Sequence, residues 1–501
     1  MLLLGIDVGT TSVKAMVFDP DGTPLSCARR NTRVSYPAPG HAEQDSEAVW
    51  ALVCEAVWEA SREYASRIAA MSVSVQGDAI IPIDDNLAAL GPAQLGMDYR
   101  TASLVEKFSA EHDAYKAFQR TGMRPHPLNS AFKILWLFKN DPALAGRVRT
   151  FATYSDYLLG KLGSDQMVID TSMASRTMLY NTLEKNWDTD MIEAVGLSID
   201  QLSLPVKSGR VVGKLRKTLA EKLGLSPDVL LVTGGHDQTC AAFGSGVIRE
   251  GFALDSHGTA EVISTCFKNP RFDAPMFEAF YPCYLHVAGD PYFTFALNHT
   301  AGILFQWFKE QFVANESLSE LAASVPSAPS TVLALPHFNG SGTPTCDADS
   351  RGALIGLTLS STKSDIAGAL LDSMAFEMRI NLERLAAAGI PINDLRCVGG
   401  GAELPQDMQR KADVFQIPVS TLRVREAACL GAAFLAGCGA GVYADPIEAA
   451  SKAAVERVYE PGAMLRPYNE RYELYTRLYD TLKPINYACA ASTAVAVCKG
   501  E

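Results

Sequence analysis

The stretch LLLGIDVGTTSVKAMVF, residues 2–18, decides how the chain begins to fold. Two runs of mostly apolar residues flank Gly-Thr-Thr at 9–11, and Asp-Pro-Asp-Gly follows at 19–22. Gly, Asp and Pro mark turns, and short apolar runs between turn residues are typical of buried strands. The stretch therefore predicts a strand, a tight turn and a second strand.

A second stretch repeats this outline later in the chain. GFALDSHGTAEVISTCF, residues 251–267, again has two apolar segments around a turn, which here carries His-Gly-Thr, and it follows the glycine-rich residues 244–246. Two such hairpins predict two halves built on related plans, with a boundary near residues 245–250. A chain of 501 residues is also too long for one ordinary core, which favours at least two domains.

Helices and strands alternate outside the two hairpins, so the predicted fold class is α/β. SEAVWALVCEAVWEASREY (46–64) has apolar residues at helical spacing, whereas AAMSVSVQG (69–77) alternates like a strand. The uncharged segment 427–444 is rich in Gly and Ala, so we expect a buried helix packed closely against another element rather than a membrane span. Residues 469–484 predict a helix docked on the second half.

The composition excludes several classes of partner. The formal net charge is −12, which gives no electrostatic attraction to nucleic acid or to an anionic membrane. The 11 cysteines show no CxxC pair and no metal-finger spacing, as in proteins of a reducing compartment. The N-terminus has no basic region and carries Asp7 early, unlike a signal peptide. We therefore expect a soluble, cytoplasmic protein.

Three glycine-rich stretches have the features of phosphate- or nucleotide-binding loops. In DVGTTSVK (7–14) a glycine lets a phosphate approach backbone N–H groups, two threonines add hydroxyl donors and a lysine adds charge. SHGTAE (256–261) offers a similar glycine and threonine, and CVGGGAELPQDMQRKADVFQIPV (397–419) places three glycines between a predicted strand and a helix. None is a Walker A loop, because GxxxxGK[ST] is absent. Ordinary turns and tight helix packing are the alternatives for each stretch alone.

A fourth stretch, GGHDQTCAAFGSG (234–246), places the carboxylate of Asp237 among glycines, small residues and a phenylalanine. A carboxylate in such a position either caps a helix or serves a function. The stretch by itself leaves both alternatives open.

The stretches together resemble one family. GIDVGTTSVKAMVFD (5–19), GGHDQTCAAFG (234–244), HGTAE (257–261), TAGILFQWF (300–308) and GGGAELPQDMQRKADVFQIPV (399–419) occur in the order and at the separations seen in the FGGY carbohydrate kinases, of the actin, Hsp70 and sugar-kinase superfamily. The resemblance covers nearly the whole chain. It implies two ribonuclease-H-like domains, 1–245 and 246–501, which bind mainly the sugar and mainly ATP, respectively, in the cleft between them.

The resemblance implies roles for individual residues. Asp237 matches the family's catalytic base, which takes the proton of the acceptor hydroxyl during phosphoryl transfer. Asp7 matches the aspartate near Mg²⁺, which acts through coordinated water. The residues matched to the two phosphate loops and the adenosine surroundings are Thr10, Thr11, Lys14, Gly258, Thr259, Gly302, Gln306, Gly401 and Ala402. Glu403-Leu404 stand where many relatives carry Lys-Ser, so side-chain contacts from these two positions are left open.

The acceptor side of the resemblance is mixed. Gln76-Gly77-Asp78 aligns with a sugar-contact segment that resembles Gln-Met-His-Gly in xylulose kinases and Gln-Arg-Glu in glycerol kinases. Asp78 accepts hydrogen bonds as a Glu would, and Gln238 after the base also resembles glycerol kinases. The stretches that look closer to xylulose kinases are PGHAEQD (39–45) and HFNGSGTP (337–344). We expect a small ketose, first a ketopentose such as xylulose, with a glycerol- or erythritol-like polyol as the alternative.

Four further polar residues have two interpretations each. Asp98 and Arg100 match the segment that lines the sugar side of the cleft, or they form a structural ion pair. His236 and His257 contact ligands or satisfy backbone groups, and the structural alternative is favoured for His236.

Two other classes of function remain. A protein of this superfamily can clamp ATP without turnover, but such a clamp has no need for a base such as Asp237. A hydrolase on the same scaffold would use water as the acceptor, which the sugar-side segments disfavour. Relatives are commonly dimers, so a homodimer is a further expectation of the resemblance.

Overall fold

The predicted hairpin over residues 2–18 is present in the computed structural model, which describes residues 1–313 and 315–498. Strands Leu2–Val8 (β1) and Ser12–Phe18 (β2) pair antiparallel, from Leu3 opposite Phe18 to Val8 opposite Val13. The chain continues through its first half with β3 (Pro24–Asn31), β4 (Glu43–Gln44), α1 (Ser46–Ser61), β5 (Ile68–Val75), β6 (Ile81–Ile83), β7 (Ala93–Gln94), α2 (Ala102–Glu111), α3 (Ala114–Thr121), α4 (Ser130–Asn140), α5 (Pro142–Ala145), β8 (Thr150–Ala152), α6 (Tyr154–Leu162), β9 (Val168–Asp170), α7 (Thr171–Arg176), β10 (Tyr180–Asn181), β11 (Asn186–Trp187), α8 (Thr189–Val195), β12 (Leu204–Val206), β13 (Val211–Lys214), α9 (Lys217–Leu223), β14 (Leu230–His236) and α10 (Asp237–Gly244).

The second predicted hairpin is also present, and it opens the second half of the chain. Its strands pair antiparallel from Ala253 opposite Thr265 to His257 opposite Glu261. The elements of this half are β15 (Gly251–His257), β16 (Glu261–Phe267), α11 (Ala274–Glu278), β17 (Tyr284–Leu285), β18 (Tyr292–Asn298), α12 (Gly302–Phe312), α13 (Leu318–Ala323), β19 (Leu333–Leu335), β20 (Ala353–Ile355), α14 (Lys363–Ala387), β21 (Ile392–Val398), α15 (Pro405–Phe415), β22 (Val419–Leu422), α16 (Ala427–Gly439), α17 (Pro446–Ala450), β23 (Val455–Tyr459), α18 (Leu465–Tyr475) and α19 (Leu478–Cys498).

The two halves build their main sheets on one plan. Within the described residues, the first sheet has the strand order β13-β14-β5-β1-β2-β3, and the second has β17-β18-β16-β15-β21-β22-β23. In the first sheet β1 pairs antiparallel with β2 and parallel with β5, and in the second β15 pairs antiparallel with β16 and parallel with β21. The predicted α/β class is confirmed, and the sheets share one arrangement, as the paired hairpins predict.

Parallel pairing brings the carboxyl ends of three strands together. β1, β5 and β14 run in the same direction, with Asp7 opposite Ser74 and His236 opposite Val75. The residues that follow β5 and β14 therefore lie at the same edge of the sheet as Asp7. In open α/β sheets ligands bind outside this edge.

Two helices hold the halves together, because each contributes side chains to a core of the other half. Residues of α16, among them Cys429 and Leu430, pack in one cluster with Leu3 and Phe18 of the first sheet. Residues of α10, among them Ala241, pack with strands of the second sheet. Residues 427–439 are thus the buried, closely packed helix that the sequence predicts.

The α10–α16 contact is close because both helices present glycine at the crossing. A Cβ on Gly244 would lie 2.0 Å from the carbonyl oxygen of Ala427, and a Cβ on Gly431 would lie 1.9 Å from that of Cys240. Carbon atoms in van der Waals contact stay well beyond these distances. Backbone therefore meets backbone at this point.

The sequence predicts one continuous helix over residues 469–484, and this prediction is wrong because the segment is divided between two helices. α18 ends at Tyr475 and α19 begins at Leu478. The aromatic residues of the two helices have different partners: Tyr475 packs on Phe376 of α14, whereas the hydroxyl of Tyr479 donates to Asp347 at 2.8 Å. Because the helix is interrupted between α18 and α19, the aromatic residues of the two helices can contact different partners.

None of the helices in residues 1–313 and 315–498 is both long enough and apolar enough to cross a membrane. The segment 427–444, which the sequence singles out, is therefore no exception.

Gly244→Ala tests the helix crossing. The new methyl group would meet the backbone of a buried helix, so the helices must separate, which costs about 3 kcal/mol. We expect Tm to fall by about 3–6 °C, measured by thermal denaturation with circular dichroism. The matched control is Gly146→Ala, whose Cβ would lie 3.4 Å from its nearest neighbour. An unchanged Tm for Gly244→Ala would contradict the close crossing.

Candidate active site

Asp237 lies where β14 passes into α10, at the ligand edge of the first sheet. It is the first residue of the helix, and His236 is the N-cap. Its Oδ1 accepts the backbone N–H of Gln238 at 2.6 Å, and solvent reaches 31% of the side chain. Burial, assisted by the nearby charge of Asp7, raises the pKa of the Asp237 carboxyl to about 7, although Gln238 N–H and Arg176 oppose the shift. The carboxyl is therefore poised to take up a proton near neutral pH.

Asp78 lies beside Asp237 on a strained turn. Its φ is +66°, a left-handed conformation that non-glycine residues rarely adopt. The turn is held by its carbonyl oxygen, which accepts hydrogen bonds from Lys133 Nζ at 2.8 Å and Ser130 Oγ at 3.1 Å. Strain of this kind is typical of functional sites.

Arg176, which the sequence analysis did not find, completes this side of the site. Its Nη2 donates to Asp78 Oδ2 at 2.6 Å, and both side chains are more than nine-tenths buried. It lies at the end of α7, a six-residue helix in which every residue except Thr171 is buried. The signal in the sequence was an arginine among small and apolar residues, which do not normally hold an unpaired charge.

Four buried polar atoms around Asp237 have no hydrogen-bond partner in the described part of the chain. Three are acceptor oxygens and one is a donor nitrogen: Gln76 Oε1, Asp78 Oδ1, Gln238 Oε1 and Arg176 Nε. Buried polar atoms are normally paired. Their grouping indicates a site for a ligand that both accepts and donates hydrogen bonds.

Asp98 and Arg100 form an ion cluster of their own. Asp98 is fully buried and accepts the N–H of Ala42 at 2.7 Å, and Arg100 Nη2 reaches both Asp98 at 2.7 Å and Glu43 at 2.5 Å. The guanidinium also lies over the ring of Trp136. These contacts favour the alternative of a structural ion pair.

The first glycine-rich loop connects β1 and β2 beside Asp7. Thr11 is exposed, whereas the carbonyl oxygen of Thr10 accepts hydrogen bonds from two neighbouring side chains. Lys14 forms an ion pair with Glu426 at the start of α16. Burial disfavours the charge of Lys14, but Glu426 raises its pKa. The lysine predicted for phosphate contact is therefore paired across the two halves of the chain.

The second half contains a cavity of about 420 Å³. It is lined by most of the residues that the sequence predicts for the second phosphate loop and the adenosine surroundings. Its lining includes Gly258, Thr259, Gly302, Gln306 and Gly401, together with His257 and Glu403. Ala402 is not among the lining residues but follows Gly401 directly. Glu403, at the position where many relatives carry Lys, forms an ion pair with Arg425.

A buried ion cluster lies beneath this cavity, and the sequence analysis did not find it. Lys411 Nζ of α15 contacts Asp255 Oδ2 at 2.5 Å, Glu261 Oε1 at 2.7 Å and His257 Nδ1 at 2.9 Å. Burial disfavours the charge of Lys411, but the two carboxylates raise its pKa well above the usual value. Burial and Lys411 together lower the pKa of His257 to about 4. His257 is thus a neutral member of the cluster at the cavity wall.

The carboxylates at the strand ends are suited to Mg²⁺, which keeps several water ligands. They are less suited to a metal ion that is coordinated by protein side chains alone. Among the described residues, no group of three or more His, Cys, Asp or Glu side chains is arranged to hold a metal ion. Mg²⁺ commonly binds through one or two carboxylates, water and substrate phosphates. Asp7, whose Oδ1 accepts the hydroxyl of Ser74 at 2.8 Å, offers such a carboxylate beside Asp237.

Comparisons with known proteins cover nearly the whole chain. The model of the N-terminal domain of the FGGY family of carbohydrate kinases matches residues 2–244, and that of the C-terminal domain matches 255–440. A glycerol kinase of Gloeobacter violaceus is 32% identical, with 95% of each chain covered, and a xylulose kinase of Staphylococcus epidermidis is 29% identical, with 97% of this chain and 96% of the relative covered. A solved xyloylose kinase from Brucella ovis has a TM-score of 0.89 at 27% identity and covers 97% of this chain and 100% of its own.

Lys411→Met tests the ion cluster beneath the cavity. The change leaves Asp255 and Glu261 buried without their cation, which costs about 3–5 kcal/mol. We expect a lower Tm and weaker binding of ATP, measured by thermal denaturation and isothermal titration calorimetry. Lys411→Met/Glu261→Gln removes one of the two stranded charges and should recover part of the Tm. Equal Tm values for the wild type and Lys411→Met would refute a structural role of the cluster.

The raised pKa of Asp237 predicts a pH-dependent stability of the ligand-free protein. The folded state binds this proton more tightly than the unfolded state, so the stabilisation is complete below about pH 4 and is lost as pH rises to about 7. Asp237→Asn does not titrate, so it should become more stable than the wild type by about 1–3 kcal/mol over this range, a discounted figure because the side chain is partly exposed. Thermal denaturation between pH 5 and 8.5 measures the difference. A difference independent of pH would be inconsistent with the shift.

Proposed function

Because the chain belongs to the FGGY family of carbohydrate kinases, we propose that it transfers the γ-phosphoryl group of ATP to a hydroxyl group of a small ketose, first a ketopentose such as xylulose. It is a phosphotransferase with an alcohol group as acceptor. The similar relatives include both glycerol and xylulose kinases. A glycerol- or erythritol-like polyol is therefore the second candidate for the acceptor.

The observation that carries this proposal is the set of unpartnered buried atoms around Asp237. A hydroxyl group donates one hydrogen bond and accepts two, so a molecule with several hydroxyls can pair with Asp78 Oδ1, the two glutamine oxygens and Arg176 Nε at once. This arrangement supports a polyhydroxylated acceptor over water, and so a kinase over a hydrolase.

In the proposed reaction Asp237 accepts the proton of the acceptor hydroxyl as its oxygen bonds to the γ-phosphorus. The bond from that phosphorus to the bridging oxygen breaks, and ADP leaves with the electron pair. Alcohols become acidic only as the new bond forms, so the base acts mainly in the transition state. A carboxylate with this role distinguishes a kinase from a non-catalytic ATP clamp.

ATP is proposed to bind in the 420 Å³ cavity of the second half, with its phosphates directed towards Asp7. Thr10, Thr11, Gly258 and Thr259 would contact the phosphates through hydroxyl and N–H groups. Magnesium, when bound near Asp7, would neutralise developing charge on the phosphate oxygens. Residues 1–245 would then hold mainly the acceptor and residues 246–501 mainly ATP. The net charge and the cysteine pattern support a cytoplasmic location, and a homodimer stays a prediction.

A coupled ADP-release assay tests the proposed function. The wild type is assayed with Mg·ATP and D-xylulose, D-ribulose, L-ribulose, L-xylulose, erythrulose, L-fuculose, glycerol or erythritol. We expect one compound to give strong turnover and little ATP hydrolysis without it, because the closed site excludes water. Asp237→Asn should lower kcat by about 10²–10⁴-fold, with ATP binding retained.

Asp228→Asn is the matched control, because this carboxylate is exposed and forms an ion pair with Lys214 at the surface. It should leave kcat unchanged. Equal ATP hydrolysis with every compound, unaffected by Asp237→Asn, would refute the kinase mechanism and favour the clamp or the hydrolase.

A further inference from the structure

A buried histidine lies between the base and the acceptor side of the site, and the proposed mechanism does not use it. His236 is the last residue of β14 and is 5% exposed. Its Nε2 lies 3.1 Å from Asp237 Oδ1. Its backbone N–H donates to Ser172 Oγ at 3.0 Å, so the main chain on this side of the base is also fixed.

The other ring nitrogen of His236 is held by a phenol from the second half of the chain. Nδ1 lies 2.9 Å from the hydroxyl of Tyr284, a fully buried residue of β17. Burial raises the pKa of Tyr284 well above its usual value, so the phenol stays protonated, and burial with Arg176 lowers that of His236, so the imidazole stays neutral. A neutral imidazole has one N–H and one acceptor nitrogen.

These contacts decide which nitrogen carries the proton. If Nδ1 donated to Tyr284, the lone pair of Nε2 would face the carboxylate oxygen of Asp237 at 3.1 Å, which is repulsive. If Tyr284 donates to Nδ1, Nε2 carries the proton and its partial positive charge lies near the carboxylate oxygen, which is attractive. The second arrangement is therefore favoured whenever Asp237 is ionised.

Gly77 provides the space for the imidazole. A Cβ at this position would lie 2.7 Å from His236 Nε2 and 2.8 Å from Cδ2, so a side chain at 77 and this imidazole cannot coexist. Arg176 packs on Tyr284, because its guanidinium carbon lies 5.4 Å from the centre of the Tyr284 ring. Gly77 and Tyr284 thus both limit the position of the imidazole.

We propose that His236 is a positioning residue for the base. Its imidazole contacts Tyr284, occupies the space beside Gly77 and lies 3.1 Å from Oδ1 of Asp237, to which the N–H of Gln238 donates. The carboxyl is thereby kept in the orientation that presents Oδ2 to the acceptor hydroxyl. This inference rests on the proposed role of Asp237. Because Tyr284 belongs to the second sheet and Asp237 follows the first, the orientation of the base depends on contact between the two halves.

Two substitutions of His236 separate positioning from general packing. His236→Gln can place an amide N–H near the position of Nε2, whereas His236→Asn can place one only near Nδ1. A misplaced reacting group costs up to about 10²-fold in rate, so we expect kcat to fall by about 30–100-fold in His236→Asn and by about 5-fold or less in His236→Gln. KM for ATP should stay within about twofold of the wild type, because His236 and Tyr284 do not line the cavity proposed for ATP.

Tyr284→Phe and His286→Gln complete the series. Tyr284→Phe removes only the hydroxyl that fixes the imidazole, so we expect an intermediate loss of kcat. His286 is a buried histidine of the same region whose Nδ1 accepts the N–H of Ala288, away from Asp237, and His286→Gln should leave kcat unchanged. Equal losses in His236→Gln and His236→Asn, accompanied by equal falls in Tm, would reduce His236 to a packing residue and overturn the proposal.

A double-mutant cycle tests the fit between Gly77 and His236. Gly77→Ala should lower kcat about as much as His236→Asn, because its methyl group displaces the imidazole. In a His236→Gly background the same change should have little further effect, so the two losses are not additive. Additive losses would overturn the proposed fit.

If Asp237→Asn is inactive but the His236 series matches the wild type, only this inference fails, whereas an active Asp237→Asn refutes the proposed function itself.

Discussion

The crossing of α10 and α16 at two glycines is the constraint on which the two-domain arrangement depends. Gly244 and Gly431 let the helices approach until backbone meets backbone, and no side chain fits at either position. Both helices contribute residues to the core under each sheet, so the halves share two buried cores instead of touching along a surface. Separating them would expose apolar residues of both helices to water, which is strongly unfavourable.

The same crossing places the groups at the ligand edge. Asp237 is the first residue of α10, and α16 begins just after Glu426, the partner of Lys14 in the first glycine-rich loop. A shift of either helix along the other would therefore move Asp237 or the loop. The position of the proposed base relative to the cavity of the second half follows from helix packing as much as from the residues of the site.

Two buried charge clusters stiffen the walls of the cleft, one in each half. Arg176 pairs with Asp78 on the proposed acceptor side, and Lys411 pairs with Asp255 and Glu261 beneath the cavity proposed for ATP. Burying charges is unfavourable unless they are paired, so each cluster has a geometry from which departure is costly. The acceptor-side cluster still leaves polar atoms unpartnered. The ion pairs fix the charged side chains around the site, whereas the unpartnered atoms lie where a ligand would bind.

The sequence by itself determined the two hairpins, the α/β class, the family, and Asp237 as the candidate base, because these depend on local patterns and on the order of motifs along the chain. It did not reveal Arg176, Lys411, or the pairing of His236 with Tyr284 and Gly77. Each of these depends on residues far apart in sequence, such as Arg176 and Asp78, whose positions are 98 residues apart. Only the fold decides such contacts, because these side chains come together through the parallel pairing of strands and through the packing of α10 and α16 between the two halves.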